Sequence, residues 1–399
     1  MHAATVLQKC LSLVFEQMHA TRAAVLVGAV QALLLGRRLI LMDLARAWPG
    51  AQRVRAPLKR LDRLLSNVHL QSERVALYRA MAQWLLRHDR PIIIIDWSAL
   101  RADDRWHLLR AGVPVGGRTL TILEMIYPKS MLGSPRAEKA FLRQLHQLLP
   151  AQVRPILVTD AGFRTPWFRA VARLGWDYVG RLRHQTRIKL EGSCEWVDNR
   201  ELHRNASSRA QRFMNVSIVQ SDPWRCDLVL YRKPKQGRFR LTRTGSRSAS
   251  RRSCLAERRE RDPWLLVASA GLSTVTASRI VALYGKRMQI EQSFRDLKCE
   301  RMGCAFRYSL TRTINRLLIL LLLQALATFV AYLTALTLKE KAATELGGIA
   351  SKRERPHYSL LRLGWEALRR SHPPTRSRSI CAAYKAPPAS FLAQLELPL

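Results

Sequence analysis

Asp96 closes the run Pro91-Ile-Ile-Ile-Ile-Asp96, and Asp160 closes the run Pro155-Ile-Leu-Val-Thr-Asp160. Each run is continuous, apolar and rich in β-branched residues, the pattern of a buried strand, so each carboxylate is expected at the C-terminal end of its strand. Ligands of α/β sheets gather at those ends. If the two strands are neighbours, the carboxylates face one point and repel unless a cation lies between them. A hard divalent ion with oxygen ligands, Mg²⁺ or Mn²⁺, meets that need. The competing reading is that each Asp merely caps the turn that follows it.

A second set of polar residues lies in Tyr284-Gly-Lys-Arg287-Met-Gln-Ile-Glu291-Gln-Ser-Phe-Arg-Asp-Leu-Lys298. A long helix is predicted over Thr276–Lys298, and on it Tyr284, Arg287, Glu291 and Lys298 fall on one stripe. The stripe offers a carboxylate for a metal and two cations for phosphates. The plainer alternative is an exposed Arg287–Glu291 pair four residues apart, worth ~0.3–0.5 kcal/mol.

Residues 1–90 read as helices at amphipathic spacing, with Arg53, Arg55, Lys59, Arg60 and Arg63 crowded into one connecting segment. Such an arrangement suits either a DNA-binding module of helix-turn-helix type or a solvated helical face. Past Pro91 the pattern becomes strand, hairpin at Gly116-Gly117, helix, strand, helix, strand, which predicts a mixed α/β domain over 91–310. Residues 183–262 look like a β-rich insertion, and Arg232 to Asp262 carries 12 Lys/Arg against three acidic residues. Trp264–Ser269 returns to a buried strand. Residues 311–399 are expected to be a helical C-terminal region that completes the core and contributes to dimerisation.

Composition narrows the partner. Lys and Arg number 67 against 29 Asp and Glu, a formal net charge of +38. A surface of this kind seeks a polyanion, either nucleic acid or an anionic membrane, and a role on small neutral metabolites is disfavoured. A hydrophobic fraction of 48% excludes disorder as the main state. The seven Cys match no zinc spacing and read as reduced thiols, and the first residues lack the features of a signal peptide. Leu317–Thr337 is apolar enough to span a bilayer, but Gln324, Thr328, Tyr332 and Thr334 within it favour a helix buried in a large core, so no membrane is expected. His107, His146 and His184 are read as surface or packing residues. Asp103, Asp104 and Glu124 have no assigned role, and Asp296 points away from the stripe.

The spacing Y-x2-R-x3-E-x6-K, complete in Tyr284, Arg287, Glu291 and Lys298, resembles the signature of bacterial insertion-sequence transposases of the DDE class. With Asp96 in IIIIDWS, Asp160 in VTDAGF, LKRLDRLLSN and RMQIEQSFRDLK, the chain resembles the cut-and-paste branch, insertion sequence family four. The resemblance implies an RNase H-like, retroviral-integrase-like core with a β-rich insertion between the second Asp and the Glu. It implies that Asp96, Asp160 and Glu291 are catalytic and bind two Mg²⁺ ions, with Mn²⁺ as a substitute. Tyr284, Arg287 and Lys298 would bind phosphates near the cut. Trp264 would stack on a base flipped out as a hairpin forms, against the alternative of a core Trp. Arg53, Arg55, Lys59, Arg60 and Arg63 would bind duplex DNA. The partners implied are terminal-repeat and target DNA and a second copy of the chain in a synaptic complex. The location implied is a bacterial cytoplasm, at the nucleoid. A catalytically inactive relative that occupies transposon ends as a regulator is the alternative.

Overall fold

The computed structural model describes residues 2–182, 186–234, 242, 244–251, 253–254, 262–301, 303–338, 358–370 and 377–395. Chain contacts divide it into two compact units, Met1–Pro155 with Met288–Pro398, and Ile156–Arg287. The divisions fall at Pro155 and Arg287, whereas the sequence pattern placed them near 90 and 310.

The first unit opens with six helices: α1 (His2–Cys10), α2 (Ser12–Gln17), α3 (Ala20–Gly36), α4 (Leu41–Arg46), α5 (Arg55–Leu65) and α6 (Val68–Leu85). Helix α5 is amphipathic. It buries Pro57, Leu61, Leu64 and Leu65 and leaves its cations outside. Helix α6 starts at Asn67, whose side chain accepts a hydrogen bond from Leu70 N at 3.0 Å, satisfying one orphan donor of the first turn. Then come β1 (Ile92–Ala99), β2 (Trp106–Pro114), β3 (Thr119–Pro128) and α7 (Pro135–Leu148). The three strands are antiparallel in the order β3-β2-β1. The β2–β3 turn places Gly116 at φ 79° and Gly117 at φ 86°, conformations that favour glycine, as the hairpin reading requires.

The second unit carries β4 (Ile156–Thr159), α8 (Thr165–Arg173), β5 (Asp177–Leu182), β6 (Arg187–Lys189), β7 (Val197–Asp198), α9 (Asn199–His203), β8 (Gln211–Ile218), β9 (Trp224–Tyr231), β10 (Trp264–Ala268) and α10 (Ala277–Gly285). Its strands run in the order β4-β5-β10-β9-β8-β6-β7, with β4 and β5 parallel and the other pairs antiparallel. The mixed α/β class therefore holds. Residues 183–262, expected as an insertion, supply β6–β9, which continue the sheet outward from β10. Much of the Arg-rich stretch, residues 235–241, 243, 252 and 255–261, lies outside the described residues.

The chain returns to the first unit with α11 (Met288–Lys298), α12 (Ile314–Ala335), α13 (Leu360–Arg369), α14 (Ser377–Lys385) and α15 (Ala389–Leu395). Helix α12 is long and apolar enough to cross a membrane, yet its most apolar window is wholly buried within the protein. It packs against α1, α3, α5, α6 and β3, so it is the core around which the N-terminal helices are arranged. This bears out the buried-helix reading, and it is why the N-terminal helices do not separate near residue 90. Gly364 lets α13 lie close on α12, because a Cβ there would overlap the Ala331 carbonyl oxygen.

Candidate active site

In the first unit, Asp96 is the fifth residue of β1 and is buried. The strand runs on to Ala99, so Asp96 does not end it. The extension has a clear cause, since β1 stays paired with the long β2 through Ala99 and His107. Asp96 Oδ1 accepts a hydrogen bond from Trp97 N at 2.8 Å, which fixes the carboxylate plane. The Trp97 ring packs on Tyr127 with centroids 5.4 Å apart.

Glu291 is half-buried on α11, and that helix packs on β1, β2 and β3. Polar side chains pin the helix along its length. Gly117 N donates to Gln289 Oε1 at 3.1 Å and Thr119 N donates to Ser293 Oγ at 2.8 Å. Arg118 pairs with Asp296, so Asp296 anchors α11 to the turn that enters β3. Lys298 Nζ donates to Ser98 Oγ at 2.5 Å, and the ammonium lies 5.5 Å from the Phe294 ring centroid. Burial pushes the Lys298 ammonium down to about 8. Repulsion from Arg110 and Arg307 adds to this, and Asp96 opposes it.

Beneath this face lies a buried polar network that sequence reasoning missed. Arg110 is the register partner of Asp96 on β2, is fully buried, and donates Nε to Glu124 Oε1 at 2.6 Å. Tyr78 Oη donates to Glu124 Oε2 at 2.7 Å, and Arg110 Nη2 donates to Gln324 Oε1 at 3.2 Å. Burial drives the Tyr78 phenol well above its ordinary value. Glu124 is thus a structural counter-ion. A charged residue in a strand pattern carries no signal of its partner fourteen residues away. Asp104 has a similar duty, pairing with Lys129 at 2.6 Å and with His107 at 3.0 Å. His184 lies outside the described residues.

In the second unit, Asp160 directly follows β4, as the sequence pattern placed it, and its Oδ1 accepts a hydrogen bond from Gly162 N at 2.8 Å. Tyr284 is buried near the end of α10. The Trp264 ring meets it edge-on, with centroids 4.9 Å apart and planes at 74°, and lies 6.0 Å from the Tyr231 ring. Trp264 itself is half-buried at the start of β10. The Arg287 guanidinium lies 5.8 Å from the Tyr284 ring centroid. Burial raises the Tyr284 phenol, Arg287 and Arg181 oppose that rise, and Asp160 adds to it. Asp160, Tyr284, Arg287 and Arg181 therefore share one electrostatic neighbourhood. Arg181 and Tyr231 were not singled out from the sequence. Their signal is the sheet register, in which Arg181 opposes Leu266 and Tyr231 opposes Trp264.

The single helix predicted over Thr276–Lys298 is interrupted. Helix α10 ends at Gly285, Lys286 and Arg287 make a turn, and α11 begins at Met288. Arg287 N donates to Tyr284 O at 3.0 Å, a three-residue closure that tightens the backbone and ends the α-helical phase. The two helices also answer to different packing. Helix α10 lies on β4, β5 and β9, whereas α11 lies on the first unit's hairpin. Tyr284 and Arg287 thus belong to the second unit, and Glu291 and Lys298 to the first.

Arg55, Lys59, Arg60 and Arg63 are exposed on α5, and Arg53 is exposed just before it. Spacings of four along 55, 59 and 63 give the helix one basic edge. Asp62 on the same helix is held by Arg316 at 2.6 Å and so does not neutralise that edge.

Among the described residues, no three His, Cys, Asp or Glu side chains gather into a group able to hold a metal ion. The donor chemistry of the candidates nevertheless suits a hard divalent ion. All three are carboxylates, and Asp96 and Asp160 are each oriented by a backbone N–H.

Comparison with known proteins adds two findings. The family profile described as transposase DDE domain matches residues 87–329, more than half of the chain and a span that contains Asp96, Asp160 and Glu291. Among solved structures, the chain is similar to the cryo-EM structure of the piggyBac transposase synaptic complex with hairpin DNA. The identity is 12%, the TM-score is 0.42, and the match covers 100% of this chain and 83% of that one. No curated protein sequence matches the chain.

Proposed function

The chain belongs to the transposase DDE domain family, and from that premise we propose that it is a DNA transposase that moves a bacterial insertion sequence by cut and paste. The observation that carries this reading is the family match over 87–329, which spans all three candidate carboxylates. The net charge of +38 supports a DNA partner, because phosphate contacts dominate the affinity of such proteins. The catalytic core is proposed to be RNase H-like, with β6–β9 as its β-rich insertion.

In this reading Asp96, Asp160 and Glu291 hold two divalent cations, Mg²⁺ with Mn²⁺ as a substitute. Bound there, such ions activate the attacking oxygen and stabilise the leaving oxygen of an in-line displacement at phosphorus. The protein supplies the rest. The exposed edge of α5, with Arg53 before it, holds duplex phosphates. Lys298 and Arg287 contact phosphates at the cut, where a guanidinium gives two-point recognition and an ammonium a point charge. Burial raises the Tyr284 phenol, which keeps it protonated, and in this reading it acts as a hydrogen-bond donor to phosphate. One strand is cut at each element end, and the freed 3′-hydroxyl attacks the opposite strand to close a hairpin. The half-buried Trp264, backed by Tyr284, offers a face to a base flipped out in that step. The hairpin is then opened and the 3′ end is joined to target DNA, with two copies of the chain holding the two ends.

The test is cleavage of a plasmid carrying the element's two ends, with Mg²⁺ and with EDTA. Metal-dependent double-strand breaks at both ends are expected, lost in Asp96→Ala and in Asp160→Asn while end binding persists. Folded protein that binds the ends but cuts nothing refutes the catalytic reading and leaves an end-binding regulator. Equal loss of binding and cutting in Asp160→Asn refutes its metal role.

A further inference from the structure

A cavity of about 420 Å³ opens in the first unit between α11, α12 and α13. Four guanidiniums line it: Arg37, Arg118, Arg295 and Arg362. Two carboxylates answer them. Asp296 pairs with Arg118, while Glu366 takes both Arg37 at 3.1 Å and Arg362 at 2.9 Å. Arg295 is exposed at the rim, and its side chain makes no ion pair or hydrogen bond among the described residues. Among the described residues, Asp296 is the one carboxylate in the lining, and Glu366 behind it is shared among Arg37, Arg362 and Arg370, so positive charge is in excess and the cavity favours an anion.

The rest of the lining is apolar and aromatic. Trp365 and Tyr358 present rings, and each already has a guanidinium against it, Arg37 at 5.9 Å and Arg362 at 5.7 Å. Leu361 and Cys304 add apolar surface, and Gln324 and Thr328 contribute a small polar patch. The volume and the mixture of apolar wall with few polar groups match those of small-molecule sites. A bare inorganic anion would leave the aromatic wall unused, and a neutral ring would leave the charge excess unused.

We propose that this cavity binds a small ligand that joins a phosphate to a planar ring, the chemistry of a free mononucleotide. Arg295 at the rim takes the phosphate, with the charge excess of the other arginines behind it, and the aromatic wall takes the ring. The proposal uses none of Asp96, Asp160 or Glu291, and so stands apart from the transposase reading.

The probe is 5′-AMP on the full chain, with adenosine, inorganic phosphate and a 5′-phosphorylated tetranucleotide as separate arms. Cys299 lines the cavity and is half-exposed, while Cys194 is exposed elsewhere, which allows protection from iodoacetamide to be read at both thiols by mass spectrometry. AMP is expected to bind once per chain by calorimetry and to slow alkylation of Cys299 while leaving Cys194 unchanged. Because one charge-assisted contact is worth about tenfold in affinity, Arg295→Gln should weaken AMP by about that factor and remove the protection. Arg295 is exposed, so this variant retains the fold. A triple change of Arg55, Lys59 and Arg63 to Ala should leave AMP binding intact. Unchanged AMP affinity in Arg295→Gln, or equal protection by inorganic phosphate, overturns the proposal. Protection by the tetranucleotide where AMP gives none assigns the cavity to a strand end and overturns the free-ligand reading.

Discussion

Replacing Lys298 by Met tests the electrostatics of the proposed phosphate contact without any DNA present. In the folded protein the Lys298 ammonium titrates near 8, against 10.5 for the free side chain, chiefly because it is buried. A depression of that size means the folded state carries a penalty of about 3 kcal/mol for keeping the ammonium charged. The sign follows from proton counting. Below pH 8 both states are charged and the penalty is complete. Between 8 and 10.5 the unfolded chain binds more protons, so stability rises with pH, and above 10.5 the penalty is gone. The methionine replaces the aliphatic stem and removes the charge, but it loses the hydrogen bond to Ser98, worth about 1 kcal/mol. Lys298→Met should therefore stabilise the metal-free protein by about 2 kcal/mol at pH 7 and lose that advantage by about pH 10.5. Urea unfolding at several pH values reads the difference. NMR of lysines labelled at Cε reads the midpoint directly, as a resonance titrating near 8 that the variant lacks. A stability difference that does not change with pH refutes the reasoning. If it holds, the native lysine is kept at a cost to stability, as expected of a residue retained for binding.

Trp264→Ala should slow hairpin closure more than the first nick, because only a flipped base needs the stacking face, worth ~1–3 kcal/mol. Equal slowing of both steps in a quenched time course would assign Trp264 to packing on Tyr284 instead. Changing Arg55, Lys59 and Arg63 together to Ala should weaken end binding and reduce the slope of log affinity against log salt by about 2–3. An unchanged slope would remove α5 from the DNA surface. Gly364→Ala should destabilise the first unit by about 1–3 kcal/mol, since the new methyl overlaps the Ala331 carbonyl and forces α13 off α12. A melting temperature equal to that of the native chain would refute that close approach.

Features that rest on local pattern were legible in the sequence itself. The apolar runs before Asp96 and Asp160 form β1 and β4, and the Gly116-Gly117 pair makes the turn between β2 and β3. The apolar stretch after Arg316 is a buried helix, and three of its polar residues find partners inside: Gln324 with Thr328 and Arg110, and Thr334 with the Val330 carbonyl. The basic edge of α5 follows directly from residue spacing. Each of these depends on neighbours within a few positions, which is what periodicity reports.

What depended on distant partners was decided by the tertiary structure. The run ending at Asp96 gave no sign that the strand continues to Ala99, because that extension comes from pairing with β2. The helical spacing from Thr276 to Lys298 predicted one continuous helix, yet it is interrupted at Lys286–Arg287, where its two parts pack on different strands and belong to two units. The pairing of Arg110 with Glu124, and the meeting of Trp264 with Tyr284, likewise follow from sheet register and helix docking. Such contacts are stabilised by burial of groups far apart in the chain. The amino-acid sequence named the chemical groups, and only the packed fold determined which of them share a dielectric environment and a charge.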